Sequence, residues 1–295
     1  MSKEKKMSTF DINNIPPDQL VAFYGLSFAA AIVDGEIEKD EMLIIYETLD
    51  LSPLSEEYRK KVHEFIINPP DIESCLEKLS NGSDELRYAV VISVVEVVLA
   101  DDIIVPEEQG LLDKVCEQLK VQNSQRDAII HFVKEGRRIQ REGLDDNTAE
   151  KVLKNAVSGL GAVGVPIAAV YFSGTVIGLS AAGITSGLAA LGLGAGMIPG
   201  VGVAILVGVG VFLGLKSLMG DSKEEKEAQI KAEKERKAQL VIKNLQETIN
   251  AIIEKIKNLE QKAHQSDANE QAIQILRDRL TTLQRALQKR KAIAA

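Results

Sequence analysis

The feature that most constrains this chain is a long central stretch without a charged side chain. From Asn155 to Leu215 the sequence contains no Lys, Arg, Asp, Glu or His, and the stretch holds fifteen of the 22 glycines. A domain that folds in water rarely runs so far without charge, because its surface elements need a polar face. A membrane-spanning helix needs roughly 20 apolar residues, so the stretch is long enough for two spans or three short ones.

Glycines in this stretch recur four residues apart, a spacing that places them on one helix face and lets another helix approach closely. In water each helical glycine costs about 1 kcal/mol relative to alanine, so close helix packing is the context that suits the pattern. We predict a glycine-rich apolar membrane hairpin over 155–219, with spans near Val165–Leu191 and Val201–Leu218. The predicted packing face consists of Gly174, Gly178, Gly183, Gly187, Gly192, Gly196, Gly210 and Gly214.

Basic residues flank the uncharged stretch on both sides. Lys151 and Lys154 precede it, and Lys216, Lys223 and Lys226 follow it. Two spans return the chain to its starting side, and positive flanks favour the cytosol. The sequence therefore predicts a protein of the cytoplasmic membrane with both remaining parts cytosolic. Two alternatives stay open: a hairpin stored in soluble form until a trigger releases it, and a hairpin buried permanently inside a soluble bundle or oligomer.

The charges are distributed unequally around this stretch. Residues 1–154 carry 18 basic and 31 acidic side chains, a net charge of −13, whereas residues 221–295 carry 16 basic and 12 acidic ones, a net charge of +4. The acidic front argues against nucleic acid as a partner, because the nucleic acid backbone is itself anionic. Cys75 and Cys116 are the only cysteines. They are too few for a disulfide framework, which favours reduced core residues in the cytosol.

Helix start signals divide residues 16–145 into a series of helices. A polar tail over 1–15, which we expect to be disordered and which lacks the pattern of a secretory signal, precedes them. Ser55 and Ser83 stand before acidic starts, as capping residues do. The β-branched run Ala89–Ala100 has the composition of a strand, but its Ser-Asp-Glu start and its helical neighbours favour a buried helix.

An acidic turn occurs twice in residues 16–145, which we call the front part, at an offset of 67 residues. The matched pairs are Asp34 with Asp101, Ile37 with Ile104, and Glu41 with Glu108. Each copy has an apolar helix, a tight acidic turn, an inward-facing Ile and a second helix that begins with acidic residues, which the helix dipole favours there. The letters also match the second half of an EF-hand loop, but Ala30 and Ile32 stand where the first half needs oxygen ligands, so no EF-hand is predicted.

The doubled signature A-x-x-D-G-x-I-x-x-x-E resembles the tellurite-resistance TerB family over about residues 16–145. This resemblance implies a compact, pseudo-twofold helical bundle, an acidic surface site for a divalent cation, and a link to bacterial stress or phage resistance. It implies that Asp34, Glu41, Asp101 and Glu108 are the metal ligands. Asp102 stands where the motif has glycine, so the second turn can differ in geometry. The alternative is that these acids only satisfy backbone N–H groups and the helix dipole.

The tail over 221–295 has the pattern of two coiled-coil helices, since apolar residues recur at alternating spacings of three and four. The first arm has Ala238, Ile242, Leu245, Ile249, Ile252, Ile256, Leu259 and Ala263; the second has Ile273, Leu276, Leu280, Leu283 and Leu287. A break at Ser266–Asn269 predicts an antiparallel hairpin. The partner of the seam is either the second arm or another protomer, and we expect a homo-oligomer through the coiled coil and the glycine faces. The basic cluster Lys289–Lys291 either touches anionic lipid or is a solvated helix end.

The sequence lacks the patterns of a catalytic site. His63, His131 and His264 are scattered, and neither a glycine-rich phosphate loop nor a zinc spacing occurs. We therefore predict an all-α, non-enzymatic protein made of a TerB-like bundle, a membrane hairpin and a coiled-coil hairpin. Its predicted function is that of a membrane-perturbing or pore-forming effector in bacterial stress or phage defence. The alternatives are a permanently anchored adaptor that recruits a cytosolic partner or a cation, and a soluble helical scaffold.

Overall fold

The structure is a computed structural model of the 295-residue chain and describes residues 14–35, 37–142, 146–166, 169, 223–262 and 267–294. The described residues form ten α-helices and no strand, which confirms the all-α class. The helices are α1 (Pro17–Ala30), α2 (Lys39–Thr48), α3 (Glu56–Glu64), α4 (Ile72–Ser80), α5 (Asp84–Val98), α6 (Pro106–Gln118), α7 (Asn123–Glu142), α8 (Asp146–Ala162), α9 (Lys223–Lys262) and α10 (Asp267–Ala294).

Most of the predicted membrane hairpin, with all eight glycines of its packing face, lies outside the described residues, as does nearly all of the predicted disordered tail. Among the ten described helices, none combines the length and the apolar character needed to cross a membrane.

Several helices begin at the residues that the sequence indicates. The Ser83 hydroxyl, before α5, accepts a hydrogen bond from the Leu86 backbone N–H at 3.2 Å. The Asp71 carboxylate, before α4, accepts one from the Ser74 N–H at 2.8 Å. Pro106 is the first residue of α6. These local signals fix the helix starts because each satisfies or removes a backbone donor that has no partner within the helix.

Helices α1 and α5 form the centre of the front part because both are apolar on nearly all sides. Every residue of α1 from Leu20 to Ala30 is buried, and so is every residue of α5 from Ala89 to Val98. A helix without a polar face must be surrounded by other elements. Accordingly, α2, α3 and α4 pack on α1, and α6 and α7 pack on α5. The Ser27 and Ser93 hydroxyls join the two central helices by a hydrogen bond of 3.1 Å.

The uncharged stretch begins inside a described helix. α8 packs along α7, and its Leu160 is buried. Beyond α8, Val165 is also buried, and the Gln125 side-chain amide of α7 donates to the Val163 carbonyl at 3.0 Å. The first residues of the predicted hairpin therefore lie against protein, and the predicted boundary near Asn155 falls within a helix that the sequence reasoning did not identify.

The tail forms two helices that pack along each other, α9 and α10. The Arg277 guanidinium of α10 lies 2.9 Å from the Glu260 carboxylate of α9. The buried apolar residues of the hairpin are Val241, Leu245, Ile249, Ile252 and Ile256 of α9 and Ile273, Leu276, Leu283, Ala286 and Leu287 of α10. The hairpin also lies against α2 and α3 of the front part, so the tail and the front part are in contact.

Candidate functional site

The two acidic turns of the repeat share one backbone conformation. The Gly35 N–H donates to the Ile32 carbonyl at 2.9 Å, and the Asp102 N–H donates to the Leu99 carbonyl at 3.0 Å. Gly35 has a φ of 89° and Asp102 a φ of 69°. Glycine enters this left-handed region freely, and aspartate tolerates it better than most residues do. The Asp that replaces glycine in the second copy therefore leaves the turn in place.

Arg137 of α7 secures the second turn. Its Nε lies 3.1 Å from the Asp102 carboxylate, and its Nη2 donates to the Ala100 carbonyl. Within the turn, the Asp101 carboxylate accepts from the Ile103 N–H at 2.9 Å. Asp101, a predicted metal ligand, thus has a structural role in its own turn. The partnership with Arg137 was not identified from the sequence because it joins a turn to a helix residue 35 positions further along the chain.

Glu41 and Glu108 have the same role at the starts of α2 and α6. The Glu41 carboxylate accepts from the Glu38 N–H at 3.0 Å, and the Glu108 carboxylate accepts from the Val105 N–H at 2.9 Å. A glutamate at the third helical position that reaches back in this way satisfies an N–H group at the helix start. Each of these two glutamates is only 7% exposed. They are buried capping residues, and neither lies on an exposed helix face.

The carboxylates of the two turns form one cluster. Burial, together with the Asp34, Glu38 and Glu108 carboxylates, raises the pKa of Glu41 to about 8. Burial also raises the pKa of Glu108, and Asp34, Asp101 and Glu38 add to this effect. Because the interaction of two charges weakens with distance, the influence of Asp34 on both glutamates means that the two turns lie close together.

The four predicted metal ligands, Asp34, Glu41, Asp101 and Glu108, therefore belong to one acidic region. Across the described ranges, no group of three or more His, Cys, Asp or Glu side chains has an arrangement that could hold a metal ion. The hydrogen bonds to Glu41, Asp101 and Glu108 also support the alternative that the acids serve the backbone of the turns. The cation site stays a prediction.

A second polar site lies where α9 meets the front part. His63, at the end of α3, has a side chain that is 8% exposed. Its Nδ1 lies 2.8 Å from the Thr248 hydroxyl, and its Nε2 lies 3.1 Å from the Glu247 carboxylate. The Asn244 side-chain amide donates to the Leu49 carbonyl at the end of α2, at 3.5 Å. The sequence reasoning missed this site because Asn and Thr in a charged helix resemble surface residues.

Burial lowers the pKa of His63, and the nearby Lys243 and Arg59 act in the same direction. The Glu247 carboxylate opposes them without reversing the direction. The docked tail therefore favours the neutral imidazole over the charged form. A group of this kind links the position of α9 to pH.

Helix α10 adds basic side chains to the same contact. The Arg279 guanidinium donates to the Ile67 carbonyl just beyond α3, at 3.0 Å. Lys289 Nζ lies 2.7 Å from the Asp40 carboxylate of α2, and Arg290 is only 1% exposed. Two members of the basic cluster at the chain end are thus engaged with protein, which differs from both predicted roles of that cluster, lipid contact and a solvated helix end.

The two cysteines lie elsewhere in the front part and are not joined to each other. Burial raises the pKa of the Cys75 thiol to about 11 and that of the Cys116 thiol to about 12, so both are protonated near neutral pH. Cys75 lines an open groove of about 350 Å³ between α1, α3 and α4, together with Lys61 and Lys78. His131 is exposed on α7, and His264 lies outside the described residues.

Comparisons of the chain with protein-family models, curated proteins and solved structures give no match. The resemblance to the TerB family over residues 16–145 accordingly rests on the doubled acidic turn alone and stays a prediction.

Proposed function

We propose that this is a non-enzymatic, membrane-acting helical protein whose glycine-rich segment, residues 170–222, inserts into a lipid bilayer. The observation that carries the proposal is the absence of any charged side chain from Asn155 to Leu215, because the hydrocarbon core of a membrane is the environment in which such a stretch incurs no penalty. The basic residues on both sides favour entry and exit at the cytosolic face.

The described helices on either side of the glycine-rich segment support this topology. α8, which precedes the segment, packs on α7, and α9, which follows it, contacts α2 and α3. Both ends of the segment are therefore attached to the same helical body. A hairpin that enters and leaves the bilayer on one side satisfies this attachment, whereas a single span would place its two ends on opposite sides.

The front part then serves as the sensing module. Its resemblance to the TerB family connects the protein to bacterial stress or phage defence, and its acidic turns are the candidate sensing element. In this proposal the segment perturbs the membrane or lines a pore in a homo-oligomer, and the charge-free glycine faces provide the helix packing that the oligomer needs.

The test is leakage of dye from vesicles of phosphatidylethanolamine and phosphatidylglycerol after addition of the full-length protein. We expect leakage with the wild type and its loss in the variants Gly178→Leu and Gly187→Leu, because a bulky side chain separates closely packed helices. Gly161→Leu is the matched control, since Gly161 belongs to the uncharged stretch but is exposed on α8 with open space around it. Vesicles that stay intact with the wild type contradict the effector proposal.

The second candidate is a permanently anchored adaptor, favoured by the exposed carboxylates of Asp34, Glu38 and Asp101 beside the buried Glu41 and Glu108, which offer a cytosolic partner or a divalent cation an anionic surface. This candidate predicts that the protein resists extraction from membranes by carbonate and yet causes no leakage. It also predicts that Mg²⁺ or Ca²⁺ raises the melting temperature of the wild type and not that of Glu41→Gln. A protein that carbonate removes from membranes contradicts this candidate.

A further inference from the structure

We propose that the C-terminal hairpin of α9 and α10 is a reversible clasp on the front part. The hairpin docks on α2 and α3 and separates from them without coming apart itself. The clasp interface is the surface of α2 and α3 that the two tail helices contact. The existence of the clasp stands apart from membrane insertion, whereas its control over the glycine-rich segment rests on the function proposed above.

The two tail helices pack more extensively on each other than either packs on the front part, which is the first requirement for release as a unit. Leu245, Ile252 and Leu283 are each fully buried, and they belong to the apolar seam between the two tail helices. The ion pair of Arg277 with Glu260 also joins one tail helix to the other. Because each tail helix makes most of its contact with the other, we expect the hairpin to keep this pairing when it is undocked. The front part likewise retains the central pair α1 and α5.

The clasp interface is rich in polar contacts, which is the second requirement. α9 presents Asn244 and Thr248 to the front part, and α10 presents Arg279 and Lys289. Their partners are backbone carbonyls, His63 and a carboxylate that remains partly exposed, all of which water can satisfy after separation. Interfaces between parts that separate while folded are more polar than permanent cores.

The geometry of α9 gives the clasp a consequence for the segment. α9 has 40 residues and α10 has 28, so α9 projects beyond its partner by about 12 residues, or about 18 Å at the helical rise. The projecting end is Lys223, directly after the glycine-rich segment. The opposite end of the segment follows Val165 and Ala169, which are both buried. Opening the clasp therefore moves one end of the segment relative to the other.

The experiment measures clasp opening in the full-length protein by energy transfer between dyes on Lys60→Cys of α3 and Gln284→Cys of α10, both exposed positions. The native thiols are buried, so the introduced ones react first. In this labelled background, Arg279→Ala removes a clasp contact, and Arg277→Ala, two residues away, removes only an ion pair within the hairpin. Lys289→Glu places like charges together at Asp40, and the added Asp40→Lys restores their attraction.

We expect Arg279→Ala combined with Lys289→Glu to raise the open fraction roughly tenfold, which corresponds to about 1.4 kcal/mol. We expect Arg277→Ala to leave energy transfer unchanged. Adding Asp40→Lys to Lys289→Glu recovers part of the energy transfer that Lys289→Glu alone loses. Circular dichroism checks that each variant retains its helix content. Transfer in the combined variant equal to that in Arg277→Ala overturns the clasp.

Vesicle leakage recorded on the same samples separates the two proposals. If opening of the clasp increases leakage, the result supports both the clasp and its control over the glycine-rich segment. Opening without leakage in either the wild type or the variant supports the clasp and contradicts membrane action.

Discussion

Gly35 and Asp102 show how two residue types maintain one turn. Both residues have a positive φ. Gly35 adopts it without strain, whereas the Arg137 guanidinium holds the Asp102 side chain in place. The sequence alone predicted the repeat, because the spacing of its acids and apolar residues is local. It left the geometry of the second turn open, because Arg137 reaches that turn from a distant helix.

The first prediction concerns Gly35→Ala. Open space surrounds the position, so the effect comes from backbone strain at a φ of 89°. We expect a loss of about 1–2 kcal/mol in the free energy of unfolding, measured by urea denaturation. Gly110→Ala is the matched control: Gly110 is also surrounded by open space but lies within α6, so the same substitution stabilises by about 0.5–1 kcal/mol. Equal effects at the two positions contradict the assigned turn conformation.

The second prediction concerns the raised pKa of Glu41. The fold favours the protonated carboxyl, so its stabilising contribution is full below the ordinary pKa of 4.5 and is lost as the pH rises through about 8. Glu41→Gln keeps an acceptor for the Glu38 N–H and has no charge to lose. We expect its melting temperature to exceed that of the wild type increasingly from pH 5 to pH 8.5. Glu107→Gln, at the exposed glutamate that precedes Glu108 in the second copy of the repeat, is the control and should show no such trend.

At the scale of elements, the width of a buried stripe decides how many neighbours a helix has. The heptad seam of α9 predicts a single partner, either the second arm or another protomer, and in the structure the second arm α10 packs along it. The structure also buries Asn244 at 3% exposure and Thr248 at 0%, beside that seam. The broader stripe faces two neighbours, the hairpin partner and the front part. Sequence reasoning recognised the apolar seam but not the polar residues, because their partners are contributed by other elements.

Helix α8 was missed for a different reason. The predicted boundary at Asn155 follows Lys154, the last charged residue before the uncharged stretch, although Asp146 already supplies an acidic helix start. Ser55 and Ser83, by contrast, are the capping residues of α3 and α5, as the sequence predicts. Local signals thus located the elements, while the packing between distant elements required the structure.

The third prediction concerns the pH dependence of the contact between α3 and α9. The groups that face His63 are Glu247 and Lys243 of α9 and Arg59 of α3, and their sum with burial leaves the pKa of His63 below 6.5. Docking therefore favours neutral His63. The contribution of His63 to the stability of the docked state is full above pH 6.5 and is lost as the pH falls through the lowered pKa. We expect energy transfer between α3 and α10 to decrease from pH 7 to pH 5.

His63→Gln keeps a hydrogen-bonding side chain and removes the titration, so we expect its transfer to change little over the same range. His131→Gln, at an exposed histidine of α7, should behave as the wild type does. A pH response that persists in His63→Gln would assign the effect to another group.

At the scale of the whole molecule, the chain runs from an acidic helical body through an uncharged segment and back onto that body. The charge distribution and the glycine spacing predicted the segment, and the all-α class is confirmed. The return of the tail onto α2 and α3 was not predicted, since the tail pattern also suits self-association. That return attaches the helices on both sides of the glycine-rich segment to one helical body, as the proposed membrane hairpin requires.

The most direct test of lipid insertion reports the surroundings of the segment itself. Ser186→Cys places a reactive thiol in the middle of the uncharged stretch for labelling with an environment-sensitive nitrobenzoxadiazole dye, while the native cysteines remain buried. On addition of phosphatidylethanolamine–phosphatidylglycerol vesicles, we predict a blue shift of the dye emission and quenching by doxyl groups on the lipid chains. Emission that stays unchanged by vesicles and unquenched by these lipids would contradict insertion of the segment.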